Sequence, residues 1–93
     1  MSKSRTTTAK KAASVKLPPV HPGEILKEAL ADLGISMNRL AQALRVPANR
    51  ISEIVAGQRA ITGETALRLA RHFNTTPAYW IGMQAQFDLD GAR

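Results

Sequence analysis

The sequence predicts an all-α bundle of five short helices, and three observations carry that prediction. Apolar residues recur at three- and four-residue spacing in five stretches. No stretch alternates apolar and polar residues as a half-buried strand does. The junctions carry residues that start or stop helices: Gly34 and Ser36, Pro47, Gly57 and Thr62, then Asn74, Thr76 and Pro77.

Residues 1–17 are expected to be a disordered basic tail. They hold Lys3, Arg5, Lys10, Lys11 and Lys16 with no acid, and Met1, Val15 and Leu17 as their only large apolar residues. So little apolar surface cannot offset the entropy of ordering. Three roles stay open for the tail: an inert leader, non-specific contact with DNA phosphate, or a segment that folds on a partner. Residues 18–93 form the predicted folded domain.

Pro18 and Pro19 extend the chain leading into the first helix, and Pro22 suits its first turn. That helix is predicted over 23–33, with Ile25, Leu26, Ala29, Leu30 and Leu33 inward, Glu24 in its first turn and Gly34 ending it. His21 has no second His or Cys nearby, which favours capping or packing over metal ligation. Ser36 is the predicted cap of a helix over 37–44. Arg45–Val46–Pro47 breaks the pattern, and Pro47 suits the first turn of the next helix, 48–56. Thr62 and Glu64 open a helix over 63–73, with Ala66, Leu67, Leu69, Ala70 and Phe73 inward. Thr76–Pro77 opens the last, 77–87.

The stretch 40–57, LAQALRVPANRISEIVAG, reads as helix, tight turn, helix. In its second helix Ile51, Ile54 and Val55 face inward. Ala48, Asn49, Arg50, Ser52 and Glu53 face outward, short or polar residues of the kind that fit a DNA major groove. Asn pairs with adenine, Arg with guanine, and Glu accepts from cytosine, so Ala48, Asn49, Arg50 and Glu53 are the candidate base-reading residues. Two alternatives stay open: Arg50 as a phosphate contact, and Glu53 as the partner of Arg50 or another basic side chain. Phosphate contacts are expected from Ser36, Asn38 and Arg39 before the turn, and from Gln58 and Arg59 after it. For Ser36 the alternative is a pure cap, and for Arg59 a solvated loop charge.

Charge placement agrees with this reading. Between residues 36 and 62, four arginines face one glutamate, giving +3, while the folded domain as a whole is close to neutral. The last predicted helix holds Tyr79, Trp80 and Phe87, three of the four aromatics in the chain. Adjacent Tyr79 and Trp80 diverge by about 100° on a helix. Tyr79, Trp80, Met83 and Phe87 are therefore expected to form part of a homodimer interface, against the alternative of Trp80 anchored inside its own protomer beside Phe73. Few phosphates can be neutralised by one module, so a two-fold dimer on a pseudo-palindromic double-stranded operator is expected.

No enzyme is expected. The histidines are isolated, and no Gly-rich phosphate loop occurs. With no cysteine, neither disulfide nor thiolate metal site is expected, and no cofactor is implied. No apolar run is long enough to span a membrane, and no secretory h-region follows the basic start, so a cytoplasmic protein is the expectation.

HPGEILKEAL, LAQALRVPANRISEIVAGQRAIT, ETALRLARHF and TPAYWIGMQAQFDL together resemble the HigA-type antitoxins, the addiction-module antidote proteins of the Xre/Cro helix-turn-helix group, also labelled VapI-like. The likeness covers roughly residues 20–90. It implies a lambda repressor-like fold, usually a dimer. It also implies repression of the module's own promoter and neutralisation of a HigB-like toxin of the RelE type that cleaves mRNA. Ala48, Asn49, Arg50 and Glu53 match recognition-helix positions, and Ser36 to Asn38 match phosphate-contact positions. Met37 lacks the amide that many relatives place nearby. A stand-alone Xre-type transcriptional regulator without a toxin is the alternative.

Overall fold

The computed structural model describes residues 20–91. The basic tail and the last two residues lie outside them. Five helices follow in order: α1 (Pro22–Leu33), α2 (Met37–Leu44), α3 (Ala48–Val55), α4 (Gly63–Phe73) and α5 (Pro77–Gly91). No strand occurs among the described residues. α3 packs against α1 and α2, α4 packs against α2 and α5, and α5 also touches α1.

One apolar core ties all five together: Leu26 and Leu30 from α1, Leu40 and Leu44 from α2, Ile51 and Ile54 from α3, Leu69 from α4, and Trp80 from α5. Burying aliphatic side chains of this size contributes about 1.5–3 kcal/mol each. Two predicted inward residues turn out instead. Leu33 and Leu67 are exposed, because each lies at the edge of its stripe and no neighbouring helix covers it. Thr65 takes a buried place on α4 instead.

The opening His-Pro-Gly is more than a helix start. His21 Nδ1 accepts from Gly23 N–H at 2.9 Å, capping α1, and Pro22 occupies the first turn. His21 is buried, and its ring meets Phe87 edge-on at 4.9 Å. A Cβ on Gly23 would fall 1.8 Å from the Ile54 carbonyl oxygen. Glycine is therefore required here for close approach: the start of α1 lies directly on the end of α3.

The turn between α2 and α3 closes with Arg45 in the left-handed region (φ 60°, ψ 46°), donating back to the carbonyls of Ala41 and Gln42. α5 runs four residues further than its predicted end at 87. Gln84 Nε2 donates to Asp88 Oδ1 at 3.0 Å and Gln86 Nε2 to Asp90 Oδ1 at 2.9 Å, and these four-residue pairs sustain the final turns.

Candidate nucleic-acid interface

α3 is held from beneath and open above. Ile51 and Ile54 are completely buried, and Val55 packs at the core edge. Ala48 and Asn49 are exposed, while Ser52 and Glu53 are half-buried on the same side. Asn49 and Glu53, four residues apart, line one strip of the helix. Ser52 Oγ donates to the Asn49 carbonyl at 3.1 Å, so it adds polarity without projecting far.

The start of α3 differs from the others. α1, α2, α4 and α5 have side-chain caps from His21, Ser36, Thr62 and Thr76. At α3 the cap position is Pro47, which makes no side-chain cap bond. The orphan N–H groups of this first turn carry the positive end of the helix dipole toward solvent, beside exposed Ala48 and Asn49.

Arg50 sits off this strip. Its Nη1 contacts Glu64 Oε1 on α4 at 3.3 Å, and its side chain is 26% exposed. Glu64 Oε2 also contacts Arg68 Nη2 at 3.4 Å, and Arg68 Nη1 donates to the Leu44 carbonyl at 2.7 Å. A chain of polar contacts thus braces α3 through α4 to the end of α2. Arg50 Nε and Arg68 Nε are buried with no hydrogen-bond partner, a desolvation cost that the ion pairs above them must offset. Glu53 points the other way, accepting from Arg59 Nε at 2.7 Å.

Ser36, Asn38 and Arg39 are all exposed at the start of α2, with Ser36 Oγ capping Arg39 N–H at 3.1 Å. Gln58 and Arg59 are exposed just past α3. Arg39 and Arg45, at the two ends of α2, make no ion pair among the described residues. They supply the unneutralised positive charge of this face.

The four aromatic and apolar residues expected at a dimer interface do not form one surface. Trp80 is 2% exposed, packed 6.0 Å from the ring of Phe73, with Nε1–H donating to Thr75 Oγ1 at 2.9 Å. It is an internal anchor, because its own protomer covers the ring and satisfies the indole N–H. Met83 and Phe87 are half-buried, Met83 against the core and Phe87 against His21. Tyr79 alone of the four stands out, at 47% exposure.

Three positioning residues escaped the sequence reading. Buried Gln84 accepts from Ile61 N–H at 2.8 Å and so fixes the loop that follows α3. Its signal was a polar residue four positions after Trp80 in an apolar helix. Glu64 reads only as a first-turn acid, and nothing local to it or to Arg68 gives a sign of Arg50 or Leu44. Among the described residues, no group of three or more His, Cys, Asp or Glu could hold a metal ion, and no helix is long and apolar enough to cross a membrane.

Known proteins match this arrangement. The helix-turn-helix family model fits residues 26–80. Virulence-associated protein I of Dichelobacter nodosus is 48% identical over 79 residues, covering 84% of this chain and 73% of its own. A solved addiction module antidote protein of the HigA family from Coxiella burnetii is 48% identical with a TM-score of 0.81, over 82% of this chain and 84% of its own. The Pseudomonas aeruginosa antitoxin HigA, solved with the higBA promoter, is 43% identical with a TM-score of 0.78, over 80% of this chain and 82% of its own. The chain belongs to the helix-turn-helix family, among its HigA-type, VapI-like antidote proteins.

Proposed function

We propose that this chain is a sequence-specific DNA-binding antitoxin that represses its own operon as a homodimer and neutralises a RelE-like, mRNA-cleaving toxin. The observation that carries the DNA part is α3: an eight-residue helix, locked by Ile51 and Ile54, presenting an uncapped start with Ala48 and Asn49 outward. Base reading is assigned to Ala48, Asn49 and Glu53, with Arg50 acting from the flank. Phosphate contact is assigned to Ser36, Asn38, Arg39, Gln58 and Arg59.

Affinity argues for a dimer. Non-specific binding lies at roughly 10⁻⁴–10⁻⁶ M, whereas specific sites reach about 10⁻⁸ M or better. Two copies on half-sites about 34 Å apart would close that gap. Exposed Tyr79, flanked by half-buried Met83 and Phe87, is the proposed contact on α5. The toxin reading rests on the likeness to HigA-type antidote proteins.

A mobility-shift titration with the promoter of the chain's own gene tests the DNA reading. Retardation should be retained with competitor DNA and lost when Asn49→Ala and Arg50→Ala are combined. Equal retardation by both proteins rules out α3 as the reader. Co-purification with the product of the neighbouring gene tests the toxin reading; a neighbour that encodes no small basic protein favours the stand-alone regulator.

A further inference from the structure

Glu53 and Arg59 are joined in a way that neither residue alone suggests. The contact is one-pronged: Arg59 Nε–H donates to Glu53 Oε1 at 2.7 Å. Glu53 Oε2 and both terminal nitrogens of Arg59 have no hydrogen-bond partner among the described residues. The pair is accessible, with side chains 35% and 44% exposed respectively. Its backbone is held on both sides. Gln58 N–H donates to the Glu53 carbonyl at 2.8 Å, Gly57 N–H to the Ile54 carbonyl at 3.0 Å, and Ile61 N–H to buried Gln84.

A lone glutamate on a face that meets DNA is unfavourable, because its charge repels phosphate. A glutamate fixed and neutralised by arginine keeps a directed acceptor without that penalty. We propose that Glu53 and Arg59 act as a single reading unit. Glu53 Oε2 accepts from an exocyclic base amine in the major groove, cytosine N4 by preference, while the free terminal nitrogens of Arg59 donate to the adjoining phosphate. Arg59 is then a specificity-determining residue although it touches no base. This rests on the DNA-binding reading above and adds a partner to one of its readers.

The test is selection by the full chain from duplexes randomised over about two helical turns, long enough for two half-sites. Wild type, Asn49→Ala, Glu53→Gln, Arg59→Ala and Arg59→Lys are compared. The wild type should enrich a C·G pair at one position of each half-site. Glu53→Gln should erase that preference alone, a loss of roughly five- to 150-fold in discrimination, the range of one mismatched pair. Arg59→Ala should erase the same preference and weaken binding to every sequence. Arg59→Lys should restore general affinity but not the preference, since an ammonium neutralises without the planar fork. Thermal unfolding of each variant within a few degrees of wild type shows that the fold is intact. The proposal is overturned if both Arg59 variants keep the wild-type preference, or if Glu53→Gln does, while Asn49→Ala alters its own position. If the wild type selects no sequence at all, the DNA reading itself fails.

Discussion

α3 and α5 use apolar residues to opposite ends. α3 has eight residues, buries Ile51 and Ile54 without remainder, and leaves its polar side and uncapped start open. α5 has fifteen, is capped by Thr76, and buries only Trp80 and Gln84, while Tyr79, Ile81 and Leu89 remain exposed around it. In α3, structure and function are divided between two faces. In α5 they are interleaved along the same helix, so adjacent Tyr79 and Trp80 have different fates. A sharply amphipathic helix declares its free face; a helix that is apolar all round does not.

The largest expected effect separates these roles within α5. Trp80→Ala should destabilise the protomer by about 4 kcal/mol, since it removes a buried ring and leaves a cavity. Tyr79→Ala should leave the thermal midpoint almost unchanged and shift only the sedimentation profile toward monomer. If Trp80→Ala instead yields a folded monomer, the ring belongs to an interface after all. Gly23→Ala comes next. The added methyl collides with the Ile54 carbonyl, so a loss of about 3 kcal/mol is expected, measured by denaturant titration.

Gln84→Leu should cost about 2 kcal/mol, because the Ile61 N–H loses its acceptor in a buried setting. Hydrogen exchange should speed up at Ile61 before it does in α1. Asn49→Ala should change stability by less than about 0.5 kcal/mol, as expected for an exposed side chain away from the core. It should nevertheless cost about 1–3 kcal/mol in discrimination between DNA sequences. Glu64→Gln should cost under about 1 kcal/mol of stability, since Glu64 is mostly solvated.

Most of the architecture was readable from residue order. Helix starts at Ser36, Thr62 and Thr76 and stops at Gly34 and Asn74 mark three of the four junctions. The division of α3 into an aliphatic and a polar side followed from Ile51 and Ile54. What the order concealed was pairing across helices. Arg50 and Glu64 lie fourteen positions apart, and Arg68 reaches Leu44 across twenty-four. Such contacts depend on how helices cross, which no local spacing records. Gly23 is similar: in the sequence it marks only the start of a helix, and its close contact with Ile54 exists only once α1 and α3 are packed. α5 outruns its apolar stripe because Gln84–Asp88 and Gln86–Asp90 stabilise turns that the stripe does not mark.

The most direct test of α3 as the DNA-reading helix is an amide NMR titration of the full chain with a duplex carrying its own promoter. The largest shifts should fall at Ala48, Asn49, Ser52 and Glu53, with a second group at Ser36 to Arg39. Leu26, Leu69 and the rest of the core should stay nearly still. Shifts confined to α5, with the amides of Ala48 and Asn49 unmoved at saturating DNA, would contradict it.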